Sequence, residues 1–196
     1  MAKKMNLPNT LSLLRVLLVP LFMASALFLQ DFPLLGRMLP AALFALAAFT
    51  DFLDGKLARK LGLVTDFGKF IDPLADKFMI FGACITLLVT DPETAPVFVW
   101  VAAVVMLREL AITSLRLVVV GKSGVVIAAS FFGKCKTCAQ IIAILICFLE
   151  PVLALLVPFF ENHLLSYIGM IAMAIFTVAS GIDYMKAYFP HIDTNK

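Results

Sequence analysis

The chain has 196 residues, 62% of them hydrophobic and only 15% charged, with a net charge of +3 and a mean hydropathy of +1.03. That balance excludes an ordinary soluble globular domain. No nucleic-acid partner is expected; the predicted partner of most of the surface is membrane lipid.

A hydrocarbon core takes about 20 mostly apolar residues per helix, and six stretches of that size can be laid along the sequence. They predict an all-α integral membrane protein, residues 1–196 forming a single membrane domain. In chain order the predicted helices are 9–29, 34–59, 69–90, 95–120, 134–157 and 164–188. The first follows Lys3 and Lys4 in the manner of a signal peptide. No small-residue cleavage site follows it, however, and Gln30-Asp31 leads straight into another span, so it reads as a retained helix.

If six helices alternate, nearly all the basic residues near helix ends fall on one side, among them Lys3, Lys4, Lys56, Arg59, Lys60, Lys122, Lys134 and Lys186. Arg37 falls opposite. The positive-inside rule makes the crowded side cytoplasmic, with both termini there. Cys135 and Cys138 have a CxxC spacing without a second pair, and they sit with Cys84 and Cys147 in apolar helices, so all four read as packing residues. His163 and His191 fall in loops on opposite sides and are assigned no role.

The informative stretch runs from Thr50 to Phe78. It carries five aspartates between positions 51 and 76, flanked by long apolar runs. Ionisable groups at membrane depth cost a few kcal/mol each by insertion scales and usually face a cavity or a bundle interior. Asp51 and Asp54 are three apart and Asp72 and Asp76 four apart, so each pair shares a helix face. A short turn over 60–67, punctuated by Gly62 and Asp66, makes the two helices antiparallel neighbours. Pro73 is best tolerated in a first helical turn, which puts Asp72 near the start of the third helix.

Carboxylates with no histidine or cysteine nearby suit Mg²⁺, or Mn²⁺, rather than zinc or copper. Four of them are a sensible complement for two divalent ions that clamp the attacking and leaving oxygens of an in-line phosphoryl displacement. Gly55, Ala58 and Gly68 leave backbone bare for a large headgroup, and Arg59 can meet a phosphate in forked geometry.

Read as one pattern, Asp51-x2-Asp54-Gly55-x2-Ala58-Arg59-x8-Gly68-x3-Asp72-x3-Asp76 resembles the signature of the CDP-alcohol phosphatidyltransferase family. The resemblance implies a six-helix membrane fold, usually homodimeric. It also implies Asp51, Asp54 and Asp72 as metal ligands, Asp76 as both metal ligand and general base, and a CDP pocket shaped by Gly55, Ala58, Arg59 and Gly68. The implied reaction is attack by an acceptor hydroxyl on the lipid-linked phosphorus of CDP-diacylglycerol, with CMP leaving.

The acceptor is read from other residues. Arg108 and Arg116 lie eight apart in an otherwise apolar helix, within about 80° of each other on the helix wheel. Lys134 and Lys136 begin the fifth helix on the same side. Together they can hold a second phosphate, pointing to a phosphorylated acceptor. The competing reading is that Arg108 is taken up by Glu109 or an aspartate, and that the lysines snorkel to the lipid surface. NLPNTLSLLR at 6–15, RELAITSLR at 108–116 and GKCKTCAQ at 133–140 resemble the bacterial branch of the family that uses glycerol 3-phosphate. That likeness implies a bacterial inner-membrane enzyme with its site facing the cytoplasm. It places Asn9 and Arg15 near the nucleotide and makes Arg108, Arg116 and Lys134 candidates for the acceptor phosphate. Ser12 stands where that branch commonly has threonine, keeping the hydroxyl. Other acceptors remain open at this point, inositol phosphate or phosphatidylglycerol, as does a cation transporter of a different class.

Overall fold

The computed structural model describes residues 7–61, 65–123 and 130–189, excepting the side chains of 7, 8, 53–61, 66, 69, 122 and 123. Within them the chain is helical, without strands: α1 Leu7–Phe28, α2 Leu35–Leu61, α3 Asp66–Thr90, α4 Ala95–Ser123, α5 Phe131–Ala154 and α6 Leu164–Tyr188, with a 3-10 turn over Pro158–Asn162. All six α-helices are long and apolar enough to cross a membrane. Their outward faces carry exposed apolar side chains such as Leu21, Trp100, Leu107 and Leu117, as expected where lipid is the solvent.

Helix starts are set by side chains that satisfy otherwise orphaned N–H groups. Thr65 accepts from Gly68 N at 3.0 Å and Ser130 from Gly133 N at 3.1 Å. These caps explain why α3 and α5 each begin three residues earlier than their composition indicates. At α6 the cap comes from another helix: buried Glu150 of α5 accepts from Leu165 N at 2.8 Å and Ser166 N at 2.6 Å. The carboxylate thus sits at a helix N-terminus, where the dipole favours negative charge. Because α3 starts at Asp66, Pro73 lies inside the helix and not in its first turn. Asp72 is therefore nearly two turns in, a correction to the expected placement. Prolines in membrane helices are tolerated where neighbouring groups re-satisfy the backbone.

Among the described residues α2 and α3 touch, as neighbours should, but less than either touches α1, which packs closely against both, while α5 pairs with α6, α4 with α6 and α2 with α5. Close approach of α1 to α3 depends on Gly82, where a Cβ would fall 2.8 Å from Val19 Cγ1. The core between these helices holds Val19, Phe22, Phe44, Met79, Phe98 and Phe148, all 1% exposed or less, with Phe22 and Phe44 edge to face at 5.8 Å. Cys84 and Cys147 are buried free thiols in this core, as their packing reading anticipates, whereas Cys135 is half-buried and Cys138 exposed, so the packing reading does not hold for Cys138.

Candidate active site

The site is built on a polar stripe along one face of α1. Asn9, Ser12 and Arg15 recur every three residues, and all three are buried in an otherwise apolar helix. Their side chains fill the space where α1 lies against both α2 and α3. Arg15 Nη1 is 2.8 Å from Asp51 Oδ1 on α2, and the Ser12 hydroxyl donates to Asp72 Oδ1 on α3. Asn9 Oδ1 accepts from the Thr65 hydroxyl at 2.9 Å, the same hydroxyl oxygen that caps α3. A Cβ on Gly68 would meet Asn9 Oδ1 at 3.0 Å and Thr65 Oγ1 at 3.2 Å. Lack of a side chain at Gly68 therefore makes room for this three-way contact.

Asp76 lies one turn beyond Asp72. Charged side chains close enough to act on it include Asp51, Glu109, Lys77 and Lys136. The side chains of Asp54, Gly55, Ala58 and Arg59 lie outside the described residues. Among the described residues no three His, Cys, Asp or Glu side chains converge tightly enough to hold a metal ion. The donor chemistry nevertheless fits a hard divalent cation. The candidate donors are carboxylate oxygens, and Asp51 and Asp72 each meet a second group, Arg15 and Ser12, as carboxylates suited to a metal commonly do.

Next to Asp76 opens a cavity of ≈ 640 Å³ between α3, α4, α5 and α6. Arg108, Arg116, Lys134 and Lys136 all line it, and of the described aspartates only Asp76 does. The four basic residues singled out from sequence are thus brought together, with different individual fates. Arg108 donates through Nη1 to Glu109 Oε1 at 3.2 Å and through Nη2 to Ser180 Oγ at 2.5 Å, while its buried Nε has no hydrogen-bond partner among the described residues. Glu109 therefore engages Arg108 without exhausting its donors. Lys136 does not snorkel to the lipid surface: it is buried, and its Nζ donates to Glu109 Oε1 at 2.6 Å. Lys134 is exposed at the cavity rim.

Among the cavity-lining residues that sequence did not mark as site residues are Glu109 and Tyr184, and the same holds for Ser180, a buried residue that does not line the cavity but accepts from Arg108. Tyr184 of α6 is buried and stacks on Tyr188 at 6.1 Å. Its ring lies 5.3 Å from the Arg108 guanidinium carbon and 5.8 Å from that of Arg116, within cation–π range. Glu109 was visible as an acid in an apolar helix. Ser180 and Tyr184 carry no sequence signal, because their part depends on α6 packing against α4.

The opposite end of the bundle has a different character. Arg37 Nη2 donates to the Thr90 carbonyl at 2.9 Å, and His163 pairs with Glu93 at 2.8 Å, far along the helices from the aspartates.

A family model for CDP-alcohol phosphatidyltransferase matches residues 5–179. The chain is 40% identical over 199 residues to a CDP-diacylglycerol–glycerol-3-phosphate 3-phosphatidyltransferase of Bacillus subtilis (strain 168), covering 97% of this chain and 98% of that one. It is 34% identical over 197 residues to a protein of the same name from Pseudomonas fluorescens, covering 97% and 94%. To a probable phosphatidylglycerophosphate synthase of Mycobacterium tuberculosis (strain CDC 1551 / Oshkosh) it is 38% identical over 184 residues, covering 94% and 82%. With the aspartate spacing, the α1 stripe that orients it and the match along nearly its whole length, this chain belongs to the CDP-alcohol phosphatidyltransferase family, and it is a transferase.

Proposed function

We propose that the protein transfers the phosphatidyl group of CDP-diacylglycerol to glycerol 3-phosphate, forming phosphatidylglycerophosphate and CMP in phospholipid biosynthesis. The observation that carries this reading is the basic cavity beside Asp76. Arg108, Arg116, Lys134 and Lys136 surround a space next to a carboxylate of the family signature, which suits an acceptor that carries its own phosphate as well as a hydroxyl. The names of the relatives agree.

Asp51, Asp54, Asp72 and Asp76 are the residues that would hold two divalent ions, Mg²⁺ or Mn²⁺. Bound there, such ions supply Lewis-acid stabilisation of charge on the phosphoryl and leaving oxygens. Arg15 and Ser12 fix the orientation of Asp51 and Asp72. Asp76 takes the proton of the acceptor hydroxyl; the freed oxygen attacks the phosphorus of the phosphatidyl group, and the bond to the CMP oxygen breaks. Gly55, Ala58 and Arg59 form the CDP-lipid pocket, and Asn9, Arg15 and Gly68, which are buried, back it from within the bundle. The whole chain acts as one membrane domain, as a homodimer in a bacterial inner membrane, with both termini and the site on the cytoplasmic face where Lys and Arg gather.

Replacement of Asp76 tests the chemistry. Asp76→Asn is expected to abolish CMP release from CDP-diacylglycerol while CDP still protects the protein against thermal unfolding. Unchanged turnover would contradict the assigned base.

A further inference from the structure

Glu109 is, besides Asp76, an acid in the wall of a cavity otherwise suited to an anion. It is 8% exposed, and its Oε1 alone accepts from two cations on two helices: Lys136 Nζ of α5 at 2.6 Å and Arg108 Nη1 of α4 at 3.2 Å. Lys136 is itself only 6% exposed. A carboxylate at this spot weakens the pull of the cavity on an incoming phosphate. As a stabilising device a buried ion pair does no better than apolar residues of similar volume. Neither affinity for anions nor stability of the fold accounts for it.

Geometry does. Among the described residues α4 and α5 scarcely pack against each other: α4 rests on α6 and α3, α5 on α6 and α2. Across the cavity that separates them, the described link is the contact of Lys136 with Glu109. Lysine carries a point charge on a stem with many rotamers, and without an anchor its ammonium has no fixed position relative to Arg108. Arg108 is anchored a second time by Ser180 of α6. A single carboxylate oxygen thus sets the distance between one cation of α4 and one of α5.

We infer that Glu109 is a positioning residue of the acceptor site, holding Lys136 and Arg108 at the separation at which a phosphate monoester is received. The inference rests on the proposed acceptor reading and deepens it. The phosphate meets cations whose ordering entropy is already lost, which favours binding through preorganisation.

The test is the KM of each substrate for Mg²⁺-dependent CMP release, in wild type, Glu109→Gln, Lys136→Met and the double variant. Each single variant is expected to raise the KM for glycerol 3-phosphate about 10- to 100-fold, the scale of a hydrogen bond to a charged group, and to leave the KM for CDP-diacylglycerol within about twofold. The double variant should fall well short of the product of the two singles, because part of what each residue does passes through their shared contact. An unchanged KM for glycerol 3-phosphate in Glu109→Gln would overturn the inference, as would a double variant whose loss is the product of the two singles. Should Glu109→Gln fail to fold, Glu109→Asp keeps the charge on a shorter stem. The same selective rise, smaller in size, is then expected, and equal losses for both substrates would overturn the role. Wild-type protein without any glycerol 3-phosphate-dependent CMP release would instead overturn the acceptor reading itself, and that outcome is visible before any variant is made.

Discussion

Arg15 of α1 reaches Asp51 of α2 at 2.8 Å, its guanidinium wholly buried while the carboxylate remains 39% exposed. One oxygen of Asp51 is thereby fixed from the protein side, and the carboxylate keeps access to the space in front of it. A lysine at this position is a shorter point charge without the fork. Arg15→Lys is expected to lower kcat at saturating Mg²⁺ by about tenfold or more, the usual scale for losing a group that orients a metal-binding carboxylate. Steady-state CMP release checks it, and wild-type kcat would show that Arg15 does not orient Asp51.

Ser12 does for Asp72 what Arg15 does for Asp51, by donating a hydroxyl hydrogen to it. Ser12→Ala should raise the Mg²⁺ concentration for half-maximal activity about tenfold. Ser12→Thr keeps the hydroxyl and should stay near wild type. A Mg²⁺ titration in which the two variants behave alike would remove Ser12 from the metal account.

Tyr184 offers one ring to both Arg108 and Arg116. Its loss as a platform is expected to cost about 1 kcal/mol, the range of a cation–π contact, and so to raise the KM for glycerol 3-phosphate severalfold in Tyr184→Leu. Tyr184→Phe retains the ring face and should not show the rise. Kinetics with glycerol 3-phosphate varied at fixed CDP-diacylglycerol separates the two.

Much of this was legible in the residues. Hydropathy places six helices within a few residues of their ends, and α6 runs over Leu164–Tyr188 as its apolar span indicates. The spacing of Asp72 and Asp76 sets them on one face of α3, and the unpartnered look of Arg108 and Arg116 in an apolar helix leads to the cavity they line. Where the sequence misled, the cause is local. Pro73 suggests a helix start, yet Thr65 caps α3 through Gly68 N, and a cap of that kind outranks a proline that the rest of the bundle can accommodate. The close packing of α1 against both α2 and α3 could not be read from the sequence that joins those two helices. Only the three-residue recurrence of Asn9, Ser12 and Arg15 hints that α1 buries a polar face. Tyr184 and Ser180 were hidden because nothing in α6 says which helix it covers.

The central claim is a phosphatidyl transfer whose acceptor is a water-soluble phosphate monoester, and one measurement addresses it directly. Purified protein in mixed micelles with Mg²⁺ and CDP-diacylglycerol is offered glycerol 3-phosphate, inositol phosphate, inositol, serine and phosphatidylglycerol, each alone, and CMP release is followed. The account predicts release with glycerol 3-phosphate and none with the neutral alcohols. Release driven by inositol, serine or phosphatidylglycerol in place of glycerol 3-phosphate would contradict the part given to Arg108, Arg116, Lys134 and Lys136.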